Sequence, residues 1–120
     1  MFTDPQTITV SGVAKTMPKI LSDGMKAVYQ TSDSLFTETI SHQISGKPGS
    51  VKQRSLVRYD QKAIVADPLT AANDYETLSV QIVFERPEFG FTAAQQDAFW
   101  TAIKTQFNTA MSDKIFGRES

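Results

Sequence analysis

Between residues 35 and 85 the chain runs through three stretches in which polar and apolar side chains alternate, and one helical stripe follows them. Alternation sends successive side chains to opposite faces of a strand. A sheet built this way has one apolar face and one wet face. A single helix is too little to cover such an apolar face, so the pattern implies an α+β chain that pairs with a copy of itself. The 120 residues fit one domain, 1–120.

The elements follow from the same reading. Thr7-Ile8-Thr9-Val10 predicts a β-branched strand that breaks at Ser11-Gly12. Thr16 to Leu21 is expected to return as the second arm of a hairpin, confined to an edge by Pro18. Met25 to Thr31 reads as a short strand between two turn signals. In Leu35 to Ile44 the even positions are Phe36, Glu38, Ile40, His42 and Ile44, and the odd ones are Thr37, Thr39, Ser41 and Gln43. The loop Gly46-Lys47-Pro48-Gly49 leads into a strand from Val51 to Asp60, with Lys52, Arg54, Leu56, Arg58 and Asp60 on one face. Gln61 to Asp74, holding Asp67, Pro68 and Asn73, is expected to be a long connection of the kind that carries function or meets a partner. Tyr75 to Glu85 is the last strand, with Leu78, Val80, Ile82 and Phe84 on one face and Thr77, Ser79, Gln81 and Val83 on the other. Thr92 then caps a helix, with Gln95 at the capping-box position. Phe99, Ile103, Phe107 and Ala110 follow at helical spacing, flanked by Trp100 and Met111, which predicts core packing. The tail after Lys114 retains enough apolar residues for a further helical turn.

The net charge of −1 hides an asymmetry. Residues 47–62 hold Lys47, Lys52, Arg54, Arg58 and Lys62 against Asp60 alone, while the segments on either side are acidic. A local anion site explains this pattern, and so does a solvated charged strand. The chain has no cysteine, which excludes disulfides, thiolate chemistry and cysteine-based zinc. His42 is the one histidine and has no second soft ligand, so no metal and no cofactor are expected. There is no Gly-x-Ser-x-Gly elbow, no Gly-x-Gly-x-x-Gly and no phosphate-binding loop, and no catalytic residue is assigned. No apolar run approaches the ~20 residues of a membrane span. The residues at the N-terminus do not read as a signal peptide.

The order of these elements resembles the coat proteins of the single-stranded RNA bacteriophages, the levivirus group. The likeness rests on the Thr37, Thr39, Ser41, Gln43 stripe, the Arg54-Ser55-Leu56-Val57-Arg58 strand, the loop around Pro68, and the step from Pro87 to Thr92 into the helix. It implies an N-terminal β-hairpin, an antiparallel meander, and C-terminal α-helices that pack on the sheet of the dimer partner through Phe99, Trp100, Ile103 and Phe107. It also implies interlocked homodimers closing an icosahedral virion shell, assembled in the bacterial host cytoplasm. The inner sheet face would bind single-stranded RNA stem-loops, for packaging and translational repression. The loop of Asp67, Pro68 and Asn73 would lie between dimers, and an X-Pro bond gives up only ~0.5–1 kcal/mol to become cis.

On this reading the RNA contacts are Thr37, Thr39, Ser41, Gln43, Lys52, Arg54 and Arg58, joined by Thr77, Ser79 and Gln81. Cations supply salt-dependent affinity by releasing counterions, and hydroxyls and amides read unpaired bases. Leu56 is out of place on that face, and no stacking aromatic reaches it unless Tyr75 does. Glu38 and His42 fall on the opposite face, as rim residues, as a pair, or as groups met by a partner's helix. Two other readings stand beside this one. One is a non-assembling regulatory RNA-binding sheet protein. The other is a ligand-binding or enzymatic domain centred on His42.

Overall fold

The computed structural model describes residues 2–66 and 73–119. It divides into two compact units, Met1–Arg86 and Pro87–Ser120. The first unit opens with β1 (Gln6–Val10) and β2 (Val13–Met17), an antiparallel hairpin. Val10 and Val13 face each other across Ser11 and Gly12, both at positive φ (52° and 78°). That pair of left-handed residues makes the tight turn whose twist suits a hairpin.

The expected second arm, Thr16 to Leu21, is divided at Pro18. The first half belongs to β2, and the chain then enters β3 (Lys19–Asp23), the edge of a second sheet. Proline has no N–H to donate to a ladder, so the boundary between sheets falls where the pairing would fail. The Pro18 carbonyl instead accepts from the Gln30 N–H at 3.1 Å.

The second sheet runs β3, β4 (Lys26–Gln30), β5 (Phe36–Ser45), β6 (Lys52–Ala66) and β7 (Asn73–Pro87), in chain order. Its first four strands pair antiparallel. Arg58 meets Ser79 and Lys52 meets Glu85, so β7 runs antiparallel to β6. β5 turns into β6 through a loop in which Gly46 sits at φ 115°. A Cβ there would stand 2.5 Å from the Ser50 carbonyl oxygen.

The long connection expected from Gln61 to Asp74 is mostly strand. The alternation continues past Asp60, with Gln61 and Ala63 half-buried and Lys62 and Ile64 exposed. β6 therefore extends to Ala66, and β7 opens at Asn73. Asp67 and Pro68 lie outside the described residues.

The core lies on one face of the sheet. Tyr29, Phe36 and Ile40 are buried with Met17 of the hairpin, and Ile8, Val10, Ala27, Leu35 and Val57 pack around them. Lys15 and Lys19 lie over the Phe36 and Tyr29 rings. The N-terminal hairpin thus covers much of the face that the sequence leaves to a helix. It does not reach the far edge of the sheet, where Leu78 and Val80 remain 65% and 52% exposed.

The second unit holds α1 (Ala93–Gln106) and α2 (Thr109–Phe116). The capping box forms as its sequence predicts, with the Thr92 side chain accepting from the Gln95 N–H and the Gln95 side chain from the Thr92 N–H. The single stripe through Ala110 does not. Asn108 caps a new helix by accepting from the Met111 N–H, a short-range bond that competes with continuing the first helix. Neither helix contains a buried residue. Phe99 and Phe107 are exposed, and Trp100 and Ile103 are half-buried. The stripe therefore forms no buried core within the helical unit itself.

Candidate nucleic-acid interface

The face of the sheet turned away from the hairpin carries the polar rows. Gln43 pairs with Arg54, Ser41 with Leu56, Thr39 with Arg58, Thr37 with Asp60, and Ser45 with Lys52. Directly opposed side chains share a face, with Cβ atoms about 5 Å apart. The hydroxyl-and-amide row of β5 thus lies beside the cationic row of β6, as the sequence predicts. Ser79 joins them from β7, through Arg58 and Asp60. Alternation along β7 puts Thr77 and Gln81 on the same side. Asn73 opens that strand, at its far end.

Three further groups belong to this face and escaped the sequence reading. Lys26 pairs with Ser41 and Gln30 with Thr37, so β4 adds a cation and an amide. The Gln30 Nε2 donates to Thr37 Oγ1 at 3.2 Å. Alternation within Met25 to Thr31 carried that signal. Lys62, expected in a loop, lies 5.5 Å from the centre of the Tyr75 ring. The exposed Tyr75 therefore does reach the polar face, with a cation over its ring.

The cations differ in how free they are. Arg54 makes no hydrogen bond or ion pair among the described residues, and its side chain is exposed. Lys52 stands 3.9 Å from Glu85, with both side chains more than half exposed. Such a pair contributes little and gives way readily. Arg58 is held more firmly. Its Nε donates to Asp60 Oδ1 at 3.0 Å, and its Nη2 to Ser79 Oγ at 3.4 Å. Among the described residues this face carries five cations, Lys26, Lys52, Arg54, Arg58 and Lys62, to three carboxylates, Asp23, Asp60 and Glu85. Leu56 does sit here, half-buried, with Val28 opposite Thr39 as a second apolar neighbour.

Glu38 and His42 share the other face but not a site. The His42 ring Nδ1 lies 2.9 Å from Ser55 Oγ at an exposed position. Glu38 is 5% exposed and faces Tyr59 across the strands. The paired arrangement is thereby corrected: Glu38 is buried opposite Tyr59, and Ser55 engages His42. Burial pushes the Glu38 carboxyl above its ordinary range. Burial, and then the Glu38 charge, push the Tyr59 phenol up. A carboxyl raised in the folded state binds its proton more tightly there than when unfolded. Stability from this group is therefore full below the ordinary value of 4.5 and is lost as pH rises through the higher folded value. Glu38→Gln is expected to raise the urea midpoint at pH near 7 and leave it unchanged near pH 4. Equal shifts at both would show that charge burial is not the cause.

Among the described residues no cluster of three or more histidine and acidic side chains is placed to hold a metal, and no helix is long and apolar enough to cross a membrane.

A family model described as phage phiCb5, coat protein, matches residues 3–87. No curated protein sequence matches the chain. Solved structures with the same architecture include the virus-like particle of bacteriophage AVE019, at 12% identity, 96% coverage of this chain and 94% of that one, and a TM-score of 0.78. The virus-like particle of Beihai levi-like virus 21 matches at 10% identity over 100% and 98% of the two chains, with a TM-score of 0.74. That of Wenzhou levi-like virus 1 matches at 15% identity over 95% and 96%, with a TM-score of 0.62. At these identities the likeness is one of fold.

Proposed function

Since the chain belongs to the phage phiCb5 coat protein family, we propose that it forms homodimers which close an icosahedral shell around RNA held on the polar sheet face. It is a structural capsid protein of the levi-like phages, and the proposal gives it no catalytic step. The observation that supports RNA binding most is the register that sets Thr39, Ser41 and Gln43 beside Arg58, Leu56 and Arg54. Two cations and three hydrogen-bonding side chains then share one exposed surface. Arginines hold phosphates, and short hydroxyls and amides meet the edges of unpaired bases.

Support for the dimer comes from the two edges of the sheet. β3 is five residues long and irregular between Lys19 and Leu21, a short, bulged edge of the kind that resists pairing. β7 is fifteen residues long and, among the described residues, has no strand on its outer side. Its apolar row, Leu78 and Val80, lies in the open. A second copy pairing there would join two sheets into one. The helices, with Phe99, Trp100, Ile103 and Phe107, would find their apolar cover on the partner, so that the two units act as one coat domain, 1–120. Asp67 and Pro68, with Asn73 at the start of β7, would meet neighbouring dimers. RNA stem-loops bound inside would mark the genome for packaging and repress translation. Assembly would take place in the host cytoplasm and leave the protein in the virion.

Negative-stain electron microscopy of the protein expressed alone in bacteria, with absorbance at 260 and 280 nm read on the same fraction, tests this. Uniform spherical particles rich in nucleic acid are expected. A small RNA-bound species without shells would favour a non-assembling regulatory RNA-binding protein instead.

A further inference from the structure

A surface built only to hold phosphate has no use for a carboxylate at its centre, yet Asp60 sits between two cationic positions of β6 and opposite Thr37. It is firmly placed. Its Oδ1 accepts both from Arg58 Nε and from the Ser79 hydroxyl, which in turn accepts from Arg58 Nη2. The side chains of Arg58 and Asp60 remain 45% and 21% exposed. These bonds use Oδ1 and the inner side of the guanidinium. Among the described residues, Asp60 Oδ2 and Arg58 Nη1 have no partner. The pair thus leaves one acceptor and one donor unengaged, on side chains that are held in place and whose charges cancel. Phosphate oxygens only accept, so Oδ2 repels them. An RNA group that donates, a base N–H or a ribose 2′-hydroxyl, fits it.

We infer that Asp60 is a specificity-determining residue of the RNA face, selecting a hydrogen-bond donor of the RNA over a phosphate and turning Arg58 from a phosphate clamp into part of that reader. This rests on the RNA reading above. Arg54, on the same strand and without a partner among the described residues, holds phosphate without discrimination.

The test uses the full-length protein kept dilute enough to stay unassembled. Its probes are a set of RNA hairpins differing in loop sequence, the same hairpins made as DNA, and inorganic polyphosphate. Asp60→Asn keeps an acceptor for Arg58 and Ser79 but removes the charge and offers an amide donor outward. Polyphosphate affinity is expected to rise about three- to fivefold, the size of a unit repulsion at ~5 Å in water. The slope of log affinity against log salt should steepen by roughly 0.7–0.9, one freed cation. Preference among the RNA hairpins should narrow. If the DNA hairpins lose discrimination equally, the donor is a base N–H; if only RNA binding changes, it is the 2′-hydroxyl. Ser79→Ala leaves both charges and should leave polyphosphate binding as it was. A rise there would place the effect in loosened packing and overturn the inference. An Asp60→Asn protein that weakens on every probe, or changes on none, also overturns it. Arg54→Ala separates the two failures. If Arg54→Ala has no effect on the hairpins, the RNA reading itself falls. If Arg54→Ala weakens hairpin binding while Asp60→Asn is silent, only the role of Asp60 falls.

Discussion

Arg54→Ala is expected to weaken RNA binding roughly tenfold at moderate salt, the cost of losing one charged hydrogen-bonding group. The salt dependence should flatten by roughly 0.7–0.9 in its logarithmic slope, one counterion fewer released. The loss should be uniform across RNA sequences, because a phosphate contact carries no sequence information. The prediction falls on Arg54 because the neighbouring cations are partly spent. Arg58 already donates to Asp60 and Ser79, so Arg58→Ala should change the slope less while disturbing sequence preference more. Lys52 shares its charge with Glu85 only loosely and should fall between them. Fluorescence anisotropy of a labelled RNA hairpin, titrated at several salt concentrations from roughly 50 to 200 mM, gives affinity and slope together. A double Arg54→Ala, Arg58→Ala protein that keeps both would mean that RNA is bound elsewhere.

What the sequence discloses of this surface follows from one rule and stops where the rule stops. Period-two alternation fixes which side chains of a strand share a face, so Thr37, Thr39, Ser41 and Gln43 could be grouped without a structure. The short loop at Gly46 to Gly49 then set that row against Arg54 and Arg58, because a hairpin fixes its own register. The link from Asp60 to Ser79 was out of reach. It depends on the register of β7 against β6, for which the sequence offers no short turn motif of the Gly46–Gly49 kind. Tyr75 and Lys62 were separated by the same gap.

On the opposite face, alternation groups Phe36 with Ile40 but does not say what covers them, and it leaves the side of Tyr29 open. The hairpin with Met17 does the covering, and it can do so because Pro18 releases the chain from β2 before β3 begins. Glu38 shows the limit most clearly. Its polar side chain leaves a rim position, a pair with His42 and a partner's helix all open, yet it is buried within one copy, where desolvation raises its carboxyl. The break between the helices was legible in principle. Asn108 is a strong N-cap residue, but the apolar spacing from Phe99 to Ala110 ran across it.

Leu78→Glu together with Val80→Glu is expected to abolish shells and leave a small soluble species. Both side chains are largely exposed in one copy, and exposed substitutions ordinarily change folding stability by no more than ~0.5 kcal/mol. Their effect should therefore be felt where a second copy would cover them. Burial of each such side chain contributes about 1.5–3 kcal/mol. Across a two-fold interface every substitution counts twice, so at least ~6 kcal/mol of association is lost, about four orders of magnitude in the dimer constant. Facing carboxylates add repulsion, and charged residues on an edge are what natural sheets use to prevent strands from pairing. Light scattering and negative-stain microscopy would show the loss of particles, and far-ultraviolet circular dichroism would show whether the sheet of the single copy survives. The pair lies on the face opposite Arg54, so residual RNA binding by the small species should keep the salt slope of the parent protein. Shells that form normally from the double variant would exclude β7 as the dimer edge and send the search to the exposed Ile20 and Leu21 of β3.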